Sequence, residues 1–243
     1  MRGDERAVSD LVAFVLVFAV VIGSVGLISV TAFSSMESLQ EDEQMKNAER
    51  GMGALADNFN DVLRYDAIEE RAGELSLREG TIRTGSGGPT ANVTVYHDGG
   101  SDSYETTLGQ FTYDRGGTTI AYEGGGVFRG EEGGGDIDLE RPRLKCNADG
   151  AAVVSLVAID ADDRALQSPD GQEFTVVENR DDREVRTFTE NVENVTVTVE
   201  DTDFENGWES TLDRGDWEWD DEDTGTCEAD RVTVRIVVVD VEF

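Results

Sequence analysis

The feature that most constrains this chain is an unbroken apolar run near its start. Leu11 to Phe33 reads LVAFVLVFAVVIGSVGLISVTAF, 23 residues without a charge, of which 18 are hydrophobic. As a helix it would be about 35 Å long at ~1.5 Å per residue, enough to cross the hydrocarbon core of a bilayer. A helix in a water-soluble domain keeps a polar face, and this run has none. We read residues 8–35 as a transmembrane helix, with the lipid bilayer as its first partner. Arg2 and Arg6 precede the run, and no basic residue follows until Lys46, while Glu37, Glu41, Asp42 and Glu43 do. Positive-inside logic then puts the N-terminus in the cytoplasm and the rest of the chain outside, a single-pass topology in the cell membrane. Within the run Ala19, Gly23 and Gly26 recur in steps of four and three. Such spacing either lets a neighbouring helix approach closely or reflects the general abundance of glycine in membrane helices.

The remainder of the chain is strongly acidic. Asp and Glu total 53 against 20 Lys and Arg, a net charge of −33 over 243 residues. Phosphate binding needs a basic footprint, so nucleic acid is excluded as a partner, as is an anionic lipid surface held by a polybasic patch. Lys occurs only at Lys46 and Lys145. The choice is between disorder and a folded surface adapted to salt. The alternating apolar strands favour the folded surface, since at 1 M salt screening falls to about 3 Å and carboxylates repel weakly.

Helical periodicity continues past the span. No proline occurs between Ser34 and Tyr65, and Met45, Ala48, Met52, Leu55, Phe59 and Val62 recur in steps of three and four. This pattern predicts an amphipathic helix over residues 36–72, docked on the chain's own sheet or paired in a short coiled coil. Gly51 and Gly53 each weaken it by about 1 kcal/mol relative to Ala.

From Glu74 the period changes to two. Candidate strands are Glu74–Arg78, Asn92–His97, Thr118–Tyr122, Val127–Arg129, Arg141–Cys146, Ala152–Ile159, Glu173–Glu178, Glu184–Phe188, Asn194–Glu200 and Arg231–Glu242. Turns are expected at Thr84–Pro89, Asp98–Asp102, Gly130–Gly135, Asp160–Asp163 and Asp220–Gly225. Val232, Val234, Ile236 and Val238 alternate, and Val237, Val239 and Val241 fill the other face, which suits a central strand buried on both faces near its end. Phe204, Trp208 and Leu212 recur every four residues and predict one short helix. The expected fold class is α+β: a long N-terminal helix followed by an antiparallel, sandwich-like β-domain over residues 73–243.

The start of the chain resembles the class III signal of archaeal type IV pilins and archaellins. Asp4-Glu5-Arg6-Ala7 precedes the apolar run, and Arg6-Ala7-Val8-Ser9 matches the start common among haloarchaeal pilin-like proteins, except that Asp10 stands where proline usually follows. Ile120–Arg129, IAYEGGGVFR, is similar to a Y-E-G-G-A-V-F-R segment of the same proteins, with Gly126 in place of the usual alanine. The resemblance implies a leader, residues 1–7, cut between Ala7 and Val8 by a prepilin peptidase. It implies a haloarchaeal cell-surface or pilus subunit that meets other pilin-like subunits through its N-terminal helix. The length suggests a minor or specialised subunit. The alternative is an uncleaved single-pass surface protein whose β-domain binds a ligand or partner. Cleavage would leave a positive amine on Val8 beside an apolar helix. Asp10 is the only carboxylate before Glu37 that could pair with it; otherwise it lies in water at the cytoplasmic face.

Cys146 and Cys227 are the only cysteines. On an exported domain they form either a disulfide, worth about 4.5 kcal/mol for so long a loop, or two free thiols. His97, the sole histidine, precedes a turn and reads as solvent-exposed. No catalytic, metal or cofactor motif stands out, and the chain does not read as an enzyme. The acidic runs Asp160–Asp163 and Asp220–Asp223 lack the EF-hand spacing. Asn92-Val-Thr and Asn194-Val-Thr are candidate N-glycosylation sites, each opening a strand.

Overall fold

The computed structural model of the protein describes residues 4–64, 70–75, 80–167, 172–220 and 223–242. It divides into two compact units, Met1–Lys46 and Asn47–Phe243. Helix α1, Asp4–Arg64, contributes to both. Among the described residues the strands that follow are β1 (Glu70–Leu75), β2 (Thr81–Gly85), β3 (Thr90–His97), β4 (Gly100–Thr107), β5 (Gln110–Arg115) and β6 (Thr118–Glu123). Next come β7 (Gly126–Glu131), β8 (Asp136–Glu140), β9 (Arg143–Asn147), β10 (Ala151–Asp160), β11 (Arg164–Leu166) and β12 (Gln172–Phe188). The chain closes with β13 (Val192–Glu200), helix α2 (Glu205–Leu212), β14 (Glu218–Trp219), β15 (Thr224–Glu228) and β16 (Arg231–Glu242).

In the first unit, Leu11–Val30 is long and apolar enough to cross a membrane, with a mean hydropathy of 3.0 and none of it buried. Its two serines are satisfied locally: Ser24 Oγ donates to the Val21 carbonyl at 2.9 Å and Ser29 Oγ to that of Val25 at 2.8 Å. Both hydroxyls therefore turn back onto the helix and need no external partner.

In the second unit the periodic positions Ala48, Met52, Leu55 and Phe59 are all buried, and Ala56 joins them. The helix ends at Arg64 and β1 begins at Glu70, so the expected boundaries at 72 and 73 are corrected. The candidate strand Glu74–Arg78 is likewise displaced to Glu70–Leu75; positions 76–78 lie outside the described residues. β1 is a charged edge strand held by its ladder with β12, from Glu70 opposite Val177 to Leu75 opposite Gln172. Backbone pairing of this kind leaves little periodic signal in side chains.

Three sheets follow, with strand orders β1-β12-β16-β10-β9, β11-β2-β5-β6-β7-β8 and β14-β15-β13-β3-β4. We call them sheets A, B and C. Among the described residues every pairing is antiparallel except β10 with β16, which run parallel over Ala151–Asp160 and Arg231–Asp240. The fully antiparallel expectation is corrected there, because a parallel neighbour far away in sequence leaves no local mark. β16 is the central strand of sheet A, and its burial changes face: Val232, Val234 and Ile236, then Val237, Val239 and Val241. The candidate strands Glu173–Glu178 and Glu184–Phe188 are one strand, β12, with an irregularity between Asn179 and Glu184. Glu178 is buried beside it, with Arg183 Nη1 3.3 Å from its Oε1.

The buried residues of sheets A and C form one core. Val154, Leu156, Val232 and Val234 of sheet A pack with Val93, Val95, Val195 and Val197 of sheet C. Trp208 and Leu212 of α2 close it, at the spacing expected from sequence. Cys146 on β9 and Cys227 on β15 are disulfide-bonded, which joins sheet A to sheet C across a sequence separation of 81. Several predicted turns carry strand. Thr84 and Gly85 belong to β2, β4 opens at Gly100 inside Asp98–Asp102, β7 continues to Glu131, and β15 opens at Thr224. Glycine and polar residues at these positions sit in ladders: Gly100 and Gly130 in hairpins with the adjacent strands, Thr84, Gly85 and Thr224 opposite strands about 25 residues away.

Candidate functional site

The segment Ile120–Arg129 forms the β6–β7 hairpin, which receives the C-terminal part of α1. Strand alternation sends Ile120 and Tyr122 to one side and Ala121 and Glu123 to the other. On the first side Tyr122 meets Phe59 edge-on, ring centroids 4.8 Å apart, and Phe59 also meets Phe111 at 5.7 Å and Phe174 at 6.2 Å. Asn60, the next helical residue, is buried and bonded through both ends of its amide: it accepts from the Tyr122 hydroxyl at 3.1 Å and donates to the Gly125 carbonyl at 2.8 Å. Arg129 ties the far end of the hairpin to the helix through Glu49 at 2.9 Å, and also pairs with Glu131 at 2.7 Å.

On the second side Glu123 is buried with its carboxylate facing α2. It accepts from Trp208 Nε1 at 3.0 Å and from Thr202 Oγ1 at 2.9 Å. Burial pushes its carboxyl above the ordinary glutamate range, the two hydrogen bonds oppose the shift, and Asp203 and Asp136 add to it. Burial likewise pushes the Tyr122 hydroxyl well up. The glycines between the strands are sterically required. Gly124 has φ +60, and a Cβ on it would come within 2.9 Å of the Trp208 ring. A Cβ on Gly126 would come 2.5 Å from Pro142 Cδ, so the alanine of the resembled segment would require Pro142 to shift.

The hairpin is therefore a two-sided connector, one side locking α1 and the other locking α2. Asn60 was not singled out by sequence, although a polar residue beside the apolar stripe at Phe59 was a signal. Glu123 was quoted within the segment, but its bond to Trp208, 85 positions away, is invisible in sequence.

The other sequence candidates are dispersed. Ala7, Val8 and Asp10 lie in the first turns of α1, far along the chain from the hairpin. Asn92 and Asn194 are half-buried on the adjacent strands β3 and β13. His97 ends β3, with Nε2 3.0 Å from Asp102 Oδ2, Nδ1 accepting from the Gly99 amide, and its ring stacked on Phe188. Asp162 pairs with Arg164, and Asp221 and Glu222 lie outside the described residues. A cleft of about 910 Å³ opens between the β9–β10 turn and the 215–218 segment. Its walls include Asp149, Glu193, Asp216 and Glu228, so its field repels phosphates and carboxylates. Among the described residues no group of three His, Cys, Asp or Glu side chains is placed to hold a metal.

The family model for DUF7289, a family of unknown function, matches residues 6–243. The chain belongs to that family. The match spans both the apolar helix and the β-domain. Comparison with curated proteins and with solved structures finds no match.

Proposed function

We propose that the protein is a membrane-anchored, pilin-like surface subunit whose N-terminal helix is shared between an apolar environment and the core of its own β-domain. The observation that carries this reading is the division of labour within α1. Leu11–Val30 is uncharged with no side chain buried, whereas Ala48, Met52, Leu55 and Phe59 are core residues of the second unit. A helix that is apolar all round needs lipid or other helices, and a helix with one apolar stripe needs a sheet. The type IV pilin plan joins these two requirements in one element, followed by a sandwich-like domain. The class III-like start, Arg6-Ala7-Val8-Ser9, supports the same reading. So does the charge distribution, which favours a cytoplasmic start and an external domain. A surface of net charge −33 suits a salt-rich exterior.

In this reading a prepilin peptidase frees the amine of Val8, and Asp10 pairs with it in the helical bundle. N-terminal sequencing of the membrane-extracted protein tests it. A mature start at Val8 is expected, and a start at Met1 would leave an uncleaved anchor instead. Asp10→Ala, with Arg6 and Ala7 intact, should be cleaved and inserted normally but enter filaments poorly; normal incorporation would remove the pairing.

A further inference from the structure

Sheet B has two faces, and α1 occupies the one that carries Phe111 and Tyr122. The register defines the other. Arg83 pairs with Thr112 and Thr112 with Ala121, so these three form a row across β2, β5 and β6. Asp114 and Thr119 pair in the next row on the same face, and alternation puts Glu123 there too. A cavity of about 350 Å³ opens over this face, within the size range of small-molecule sites. Pro89 and the β13–α2 loop residues Asp201, Asp203 and Phe204 close it from the opposite side.

Glu123 lines this cavity and is only 6% exposed. Its two hydrogen bonds, from Trp208 and Thr202, both end on Oε2. Oε1 receives none among the described residues and is the oxygen left for the cavity. Burial pushes this carboxyl up, and its charged neighbours Asp203 and Asp136 add to the push. Arg83 is the one basic residue of the lining, and it is paired with Asp114. The fold therefore buries an acidic group beside an open cavity and supplies it with no counter-charge from the lining. Such a group keeps its proton or takes a cation from outside.

The lining selects the kind of cation. Thr112 and Thr119 donate their hydroxyl protons to Asp114, at 3.4 and 2.6 Å, so what these hydroxyls have left to offer is lone pairs. Anions are repelled by Asp201, Asp203 and Glu123. A metal ion is a poor match, because among the described residues no three His, Cys, Asp or Glu side chains are placed around one. A primary ammonium fits: it carries one positive charge and three N–H donors, and it accepts no hydrogen bond. Pro89, Ala121 and Phe204 give its alkyl chain an apolar wall.

We propose that this cavity is a binding site for a small primary amine on a short alkyl chain, with Glu123 Oε1 as the ion partner of the ammonium head. The site does not depend on how α1 is anchored.

The test is ¹H–¹⁵N NMR of the full-length protein in detergent micelles, following the indole N–H signals of its three tryptophans. n-Butylammonium chloride replaces sodium chloride mole for mole, so that ionic strength stays constant. Trp208 donates to Glu123, so its signal is expected to move saturably, while those of Trp217 and Trp219 stay in place. n-Butanol has the chain without the charge, and tetramethylammonium has the charge without the N–H donors. Neither should reproduce the shift. Glu123→Gln keeps an acceptor for Trp208 and Thr202 but removes the charge, and should weaken butylammonium binding about tenfold or more. An unmoved Trp208 signal, an equal shift with either control compound, or undiminished binding by Glu123→Gln overturns the proposal. If Glu123→Gln does not fold, the three titrations of the wild-type protein decide alone.

Discussion

The two ends of α1 have the same backbone and opposite requirements. Leu11–Val30 is apolar on every face, and its large side chains are half or more exposed: Phe14 67%, Phe18 58%, Leu27 71%. Residues 48–60 are apolar on one face, and there Met52 and Phe59 are completely buried while Ala54 and Asp57 stay exposed. What differs is the partner each stretch needs. The second stretch is an internal element of its unit, closed by the Asn60 hydrogen bonds and the Tyr122 ring. None of the first is buried. Secondary structure alone would not separate them; the distribution of charge does.

The largest expected effect comes from cutting the helix at different places. Removing residues 1–46 should yield a protein that stays in the supernatant and melts cooperatively. Removing residues 1–64 also strips Met52, Leu55 and Phe59, each worth about 2–5 kcal/mol when truncated to Ala, against a total stability of about 5–15 kcal/mol. That product should not fold, as read by circular dichroism and protease resistance. Equal stability of the two truncations would break the comparison.

A matched pair of substitutions sharpens it. Phe59→Ala should cost about 3–5 kcal/mol in denaturant unfolding, since the ring is fully buried among Phe111, Tyr122 and Phe174. Phe18→Ala, in the exposed stretch, should change unfolding of the β-domain by less than about 0.5 kcal/mol. Similar costs would mean that the two stretches do not differ as described.

The apolar run was legible from its length and lack of charge, and the Ala48–Phe59 stripe, β16 and α2 because each carries its own period. β4 was not. Its sequence, Gly-Ser-Asp-Ser-Tyr-Glu-Thr-Thr, has one partly covered aromatic, Tyr104, and otherwise reads as turn. It is a strand because its backbone pairs with all of β3, from Thr90–Thr107 to His97–Gly100. The parallel β10–β16 pair and the Glu123–Trp208 bond were hidden for a different reason: each joins residues about 80 apart. In the hairpin, the glycine run was visible, but the side chains that require it, Trp208 and Pro142, come from elsewhere in the chain.

The smallest expected effect concerns the hairpin's other side. Glu123 holds its proton more tightly folded than unfolded, because burial penalises the charged form. The folded state then binds more protons than the unfolded chain between the ordinary glutamate value, about 4.3, and the raised one. Stability from this group is complete below that window and is lost as pH rises through the folded value. Glu123→Gln keeps an acceptor for Trp208 and Thr202 but has no proton to lose. Its melting temperature relative to wild type should therefore climb with pH across the window. A difference constant with pH would show that burial of Glu123 does not govern its charge.

The central claim is that Leu11–Val30 lies in the membrane while the unit beginning at Asn47 lies outside. Protease digestion of intact cells tests it most directly, with fragments separated into membrane pellet and supernatant and mapped by mass spectrometry. The account predicts cleavage in the exposed stretch before Asn47, a folded β-domain fragment in the supernatant, and a pellet-bound fragment containing Leu11–Val30. A chain fully protected until the cells are broken, or one released whole without any pellet-bound fragment, would contradict it.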